Sequence, residues 1–205
     1  MIAVIAVLSA ILIFILDPTE TLRKSRDSQR ISDLGSLKTA IGIYLTTVPD
    51  AQLDGTTGIK QDKCLGGGGT PTIFASIDSS NALSATSLTG SAFGAWGQVT
   101  AASLTAIDGT GWLPVNLSAI TGGSPISNLP IDPTNTAAST PANTDLFYRY
   151  ACQKSPLTFE IDAKLESIAF TSTDNRAQKD GGNNTLLYEV GTDLSILPAT
   201  GAYTF

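Results

Sequence analysis

Histidine is absent from this 205-residue chain. That removes the commonest general base and the commonest zinc ligand together. No Ser/His/Asp hydrolase can be assembled from it. Charge is scarce too: Asp, Glu, Lys and Arg make up 15% of the residues, well below the usual quarter. The balance is acidic, with a net charge of −6, and an acidic chain does not collect phosphate backbones, which argues against general nucleic-acid binding. There are two cysteines, Cys64 and Cys152, too far apart for a CxxC redox motif and too few for a closed zinc site without histidine. They read as two buried thiols or as one disulfide in an oxidising compartment, and the exported look of the rest of the chain favours the disulfide. Small and polar residues fill the gap left by charge, 19 of them glycine. With 42% hydrophobic residues a packed core is available, and the length suits one domain plus an extension.

Charge is missing altogether from Met1 to Leu16, MIAVIAVLSAILIFIL. Its apolar positions are Met1, Ile2, Val4, Ile5, Val7, Leu8, Ile11, Leu12, Ile13, Phe14, Ile15 and Leu16, with three alanines and Ser9 between. As a helix it would be about 24 Å long, slightly short of the roughly 20 residues that a bilayer core asks for. It reads as a signal-peptide core, a short membrane anchor or a helix buried in an assembly. Nothing basic precedes the run and Asp17-Pro18-Thr19-Glu20 follows it, so a cleaved signal fits less well.

A second helical pattern continues directly. Asp17 suits a cap, Pro18 the first helical position, and Glu20 the first turn. Leu22, Ile31, Leu34, Leu37, Ile41, Tyr44 and Leu45 then recur at helical spacing until Pro49. The pattern predicts one long helix over 1–48, apolar all round in its first third, amphipathic after it, and interrupted at Pro18, with kinking or melting expected from Phe14 to Asp17. Arg23, Lys24, Arg26, Arg30 and Lys38 lie in the amphipathic part. They form either a patch for lipid headgroups or an acidic partner, or a solvated face on which the pairs Glu20–Lys24, Arg23–Asp27 and Arg30–Asp33 absorb the charge.

From Asp50 to about Thr144 Gly, Ser and Thr dominate. Gly66–Gly69 lacks the Lys-Ser/Thr ending of a phosphate loop and reads as a flexible connection. Periodicity over 72–107 is poor, with a short helix suggested around 98–107. Trp112-Leu113-Pro114-Val115 and Leu129-Pro130-Ile131-Asp132-Pro133 are extended or turn segments. Strand signals come late: 146–152, then 157–163 with Leu, Phe, Ile and Ala on one face, and 186–190. These predict an α+β chain, a small antiparallel sheet with one solvated face and the amphipathic helix on the other. The division is a helix over 1–48 and a globular head over 49–205.

An apolar run, a nearby proline, and then RKSRDSQRISDLGSLKTAIGIYL resembles a type IV pilin or a type II secretion pseudopilin. The blocks TGWLPVNLSAI, SPISNLPIDPTN, FYRYAC, FEIDAKLES and LLYEVGTDL follow in the order of pilin-like heads with a single sheet. The resemblance implies a pilin fold and no enzymatic activity. It also implies a basic leader cut by a membrane prepilin peptidase, N-methylation, a membrane-held stage, and extraction into an open helical homo-oligomer by an inner-membrane assembly machine. In the family, the apolar run follows a short segment ending in glutamate, so a leader and the first mature residues are expected before Met1, unless this subunit does without that glutamate pair. A disulfide Cys64–Cys152 would tie the Gly-rich connection to the sheet, closing a loop of about 90 residues worth about 4–5 kcal/mol in chain entropy.

The expected function is the major subunit of a cell-surface filament. A pseudopilin of a secretion or DNA-uptake machine and a monomeric membrane-anchored binding domain are the alternatives. No cofactor is required, although Asp174, Asn175, Asp180 and Asn183, with Asn184, surround Gly181-Gly182 in a loop that could hold calcium or be a plain Asx-turn loop. Asn116-Leu117-Ser118 and Asn183-Asn184-Thr185 match glycosylation sequons. For catalysis there remain Ser25 beside Lys24 and the carboxylates Glu160, Asp162 and Glu166. Glu160 and Asp162 are expected on a solvated strand face.

Overall fold

A computed structural model describes residues 17–55 and 60–198. Helix α1, Pro18–Thr47, comes first. Asp17 takes a left-handed backbone at φ 34° and its carboxylate accepts from the Glu20 amide at 3.2 Å. Pro18 then occupies the first turn, where its missing N–H costs nothing. After Thr47 the chain turns extended at Val48, and Pro49 prevents continuation.

The buried positions of α1 are Asp27, Arg30, Leu34, Leu37, Ala40, Ile41 and Tyr44. Spacings of three and four place them on one stripe. Leu34, Leu37 and Ile41 are wholly buried, each stabilising by about 1.5–3 kcal/mol. The stripe extends into charged residues at its amino-terminal end. Leu22, placed on it by spacing, is instead 61% exposed.

The head is built on a five-stranded sheet in the order β2-β1-β3-β4-β5. The strands are β1 Thr72–Ala75, β2 Ala95–Gly97, β3 Tyr148–Gln153, β4 Thr158–Ala163 and β5 Tyr188–Gly191. The expected hairpin is there as β3 and β4, paired antiparallel from Tyr148↔Ala163 to Gln153↔Thr158, and β5 continues the antiparallel order. The sheet is nevertheless mixed rather than antiparallel throughout, because β1 and β2 run parallel. A parallel pair needs a crossover, and residues 76–94 supply it with one short 3₁₀ turn at Ala85–Leu88. Strands of three and four residues are too short to show a period, so neither was legible. The helix suggested around 98–107 is a series of turns.

Helix α1 covers one sheet face. Phe74, Tyr148, Tyr150, Cys152, Phe159, Ile161 and Ala163 meet it in the main core. The two proline-rich blocks also belong there: Trp112, Leu113, Val115, Leu117 and Leu129 are buried, and the Trp112 indole donates to the Pro130 carbonyl at 2.9 Å. The opposite sheet face is not solvated. Ile73, Leu88, Phe93, Ala151, Ile196 and Leu197 bury part of it, and Ala75, Ile77 and Phe147 another part. Glu160 and Asp162 lie on that face and are buried with it. Loops too irregular to show periodicity cover them.

Cys64 and Cys152 form a disulfide across 88 positions of sequence. The neighbouring glycine run is a tight structure rather than a slack connection. Gly67 N–H donates to the Cys64 carbonyl at 2.9 Å and Gly69 N–H to the Asp62 carbonyl at 3.1 Å. A Cβ on Gly67 would fall 2.1 Å from the Gln61 carbonyl oxygen, so only glycine lets the backbone approach this closely.

Candidate functional site

The apolar positions Met1 to Leu16 lie outside the described residues. Among the described residues no helix is long and apolar enough to cross a membrane. What is described is the way the head grips the helix that follows, and the grip is ionic at one end and apolar at the other.

Arg30 is its centre. Wholly buried, it points a fork at Asp132, with Nε donating at 2.6 Å and Nη2 at 2.8 Å. Nη1 donates to Asp27 at 2.8 Å and to Glu166 at 2.6 Å. Arg26 adds a second fork to Glu166 at 2.8 and 3.0 Å. Three carboxylates from three parts of the chain thus face two guanidiniums, with the Arg30–Asp132 and Arg26–Glu166 pairs bidentate and Asp27 held by a single bond from Arg30.

Backbone amides also hold two of the three carboxylates. Asp27 accepts from the Glu166 and Ser167 amides and from the Ser167 hydroxyl, at 2.6–3.1 Å. Asp132 accepts from the Thr134 and Asn135 amides, a turn made by its Asp-Pro-Thr-Asn sequence. One turn further along α1, Asp33 accepts from the Tyr148 hydroxyl at 2.8 Å, linking helix to sheet. Burial pushes Asp33 above its ordinary value, against that hydrogen bond. Burial also works against ionised Glu166, but the bonds from Arg26 and Arg30 prevail and hold it below the usual range.

The local pairing expected along α1 is therefore replaced for its key charges. Asp27 turns to Arg30 and to the loop at Glu166–Ser167, and Arg30 reaches across the fold instead of to Asp33. Arg23, Lys24 and Lys38 stay exposed. Sequence reasoning missed Asp132 as a partner and misplaced Asp27 and Arg30. The available signal was phase: 27 and 30 continue the series 34, 37, 41 and 44, so charges there sit on the covered face.

The remaining candidates are dispersed. In the 174–184 loop, Asp174 is engaged by Arg176 at 2.6 Å and Lys179 at 2.5 Å. Asn175 accepts from the Gln178 amide, Asp180 from the Gly182 and Glu189 amides, and the Asn183 amide donates to the Leu194 carbonyl. Among the described residues no three acidic, cysteine or histidine side chains gather as a group that could hold a metal ion, and two cations pair with Asp174. Ser25 and Lys24 are exposed on α1, whereas Glu160 and Asp162 are buried away from solvent. Asn116 and Asn183, the sequon asparagines, are exposed. A cleft of about 370 Å³ lies near the carboxy-terminal end of α1, where Asp108 Oδ1 accepts from the Thr110 amide and hydroxyl and Asp50 pairs with Lys60.

No family model, no curated protein and no solved structure matches this chain.

Proposed function

We propose that this chain is the structural subunit of an extracellular pilus-like filament that self-assembles through its apolar amino-terminal segment. One observation carries the reading. Sixteen uncharged residues, Met1 to Leu16, run directly into a helix that a compact head grips along one stripe. An all-apolar segment needs an apolar surround. A membrane provides it before assembly, and packed copies of the same segment provide it afterwards. At roughly 1.5–3 kcal/mol for each large aliphatic side chain, burial supplies a large driving force per subunit. Identical subunits added head to tail make heterologous contacts and so an open helix.

The grip on α1 suits a subunit that carries tension. Tension arriving along the stem enters α1 at Pro18 and passes to the head through Glu20, which accepts from the Ala169 amide, and then through Arg26, Asp27 and Arg30. These join helix to loops more than a hundred positions away in sequence. The apolar stripe from Leu34 to Tyr44 and the disulfide then distribute it. A charge-poor, Ser/Thr-rich surface suits a fibre exposed outside the cell. In this reading the chain waits in the inner membrane, is processed by a prepilin peptidase and needs no cofactor.

Electron microscopy of material sheared from the cell surface tests the proposal. Long fibres containing this chain are expected. A detergent-bound monomer with no fibres would overturn it in favour of an anchored binding domain, and short fibres confined to the periplasm would assign the chain to a secretion or uptake machine.

A further inference from the structure

Glu160 of β4 and Glu189 of β5 sit as diagonal neighbours on the loop-covered sheet face, since Glu160 pairs with Gly191 and Asp162 with Glu189. Both are buried, at 0% and 1% exposure. One oxygen of each is fully used. Glu160 Oε2 accepts from the Ile196 and Leu197 amides, both at 2.8 Å. Glu189 Oε2 accepts from the Asn184 amide at 2.9 Å. The other oxygen of each, Oε1, is buried and receives no donor from the described residues, and each carboxyl perturbs the titration of the other. Two ionised carboxylates have only acceptors and cannot bond. A proton on one of them allows an O–H···O⁻ bond between the two, the short and strong kind.

Among the described residues no cation forms an ion pair with either carboxyl. From β3, Arg149 faces this layer, but its Nε is committed to Asp162 at 2.5 Å and its guanidinium stacks on Phe147 at 4.9 Å. Neither of its terminal nitrogens bonds to a described residue. The other charged neighbours, Asp162 from β4 and Asp180 from the preceding loop, are negative, and both act on Glu189 to favour its neutral form.

We propose that Glu160 and Glu189 hold one proton between them, and that this proton latches the Asp180–Asn184 loop and the 195–197 segment onto the sheet. Raising the pH removes the proton and releases both. Burial, reinforced by the bond to Glu189, pushes Glu160 up to about 10. Burial also pushes Glu189 up to about 7. As the two interact, these values belong to the pair. The direction follows from linkage. The latched pair binds a proton that the released carboxyls, titrating near their ordinary 4.5, have already lost. Between about 7 and about 10, where the pair holds one proton, the ratio of latched to released forms therefore falls about tenfold for each unit of rising pH. From pH 7 to pH 9 this amounts to about a hundredfold.

The full chain in detergent micelles, labelled with ¹³C at the glutamate carboxyls, gives the direct test. The two signals, assigned with Glu160→Gln and Glu189→Gln, are expected to titrate together well above the ordinary carboxylate range. Hydrogen exchange at the Asn184, Ile196 and Leu197 amides, corrected for intrinsic rates, should lose about tenfold protection per pH unit from pH 7 to 9. Each glutamine variant supplies a permanent N–H in place of the proton, so protection should become equal at pH 7 and 9. Should either variant fail to fold, the wild-type titration still decides. Ordinary titration of both carboxyls, pH-independent protection in the wild type, or a wild-type slope retained in the variants would each overturn the latch. So would a titration abolished by millimolar calcium and restored by chelator, which would assign the pair to a cation. Failure of the filament reading leaves every one of these outcomes unchanged.

Discussion

Replacing Arg30 by methionine keeps most of the side-chain volume and removes the centre of the ionic grip. The consequences differ among its three partners. Asp27 retains the Glu166 and Ser167 amides and the Ser167 hydroxyl. Glu166 retains the fork from Arg26. Asp132 retains two amides, but both reach Oδ1, and Oδ2 loses the 2.6 Å bond from Arg30 Nε, its sole donor among the described residues. A carboxylate that is 2% exposed is then left with a bare oxygen and no counter-charge. Removing one member of a buried pair in this way costs about 3–5 kcal/mol. For a chain of this size each kcal/mol lowers the melting temperature by roughly 2–4 °C, so Arg30→Met should melt about 6–20 °C lower. Near-UV circular dichroism during thermal and urea unfolding reads both quantities. The double variant Arg30→Met/Asp132→Leu, which also removes the stranded carboxylate, should recover at least about 1 kcal/mol of the loss. A single variant within about 1 kcal/mol of wild type, or a double variant worse than the single one, would refute the assignment of Arg30 as the buried counter-ion of Asp132.

Opening the disulfide with Cys64→Ser and Cys152→Ser frees a loop spanning 88 positions, and should cost about 4–5 kcal/mol by chain entropy, measured as a lower urea midpoint. Glu166 carries a depressed value, so the stability it contributes is present above the ordinary 4.5 and disappears as the pH falls through the folded-state value. Urea midpoints measured from pH 6 to pH 2 should therefore decline in acid, and less steeply in Arg30→Met. A Cβ on Gly35 or Gly42 meets nothing within 4 Å, so Gly35→Ala and Gly42→Ala should each raise helix stability by about 0.5–1 kcal/mol, read from the thermal midpoint. Leu22 is 61% exposed beside the stem; Leu22→Lys should leave the melting temperature of the detergent-bound subunit within about 2 °C while reducing fibre yield in electron micrographs, if that side chain packs between copies.

Local and periodic features were legible before any fold was known. The series 34, 37, 41 and 44 in α1, the alternation along β4 and the short turn joining it to β3 depend on neighbours within a few positions, and spacing encodes them directly. The parallel strand pair was hidden, since three- and four-residue strands carry no period and their partnership is made by a long crossover. The glycine run looked slack because composition cannot show that the Asp62 and Gln61 backbone lies against it.

Charges were the least legible part of the candidate site. By the sequence alone, Arg30, Asp27, Glu160 and Asp162 are polar side chains on amphipathic elements, and solvent is the default partner of such groups. That default holds when an element has one covered face. Here the loops carrying Asp132 and Glu166 close over the amino-terminal part of α1's stripe, and the segments ending at Asn184 and Leu197 close over the second sheet face. The chain alone determined where the helix ends, the apolar part of its stripe from Leu34 to Tyr44, and that Met1–Leu16 carries no charge. The tertiary structure alone decided which charges left water, because burial is set by what packs on top, and what packs on top comes from positions far away along the chain.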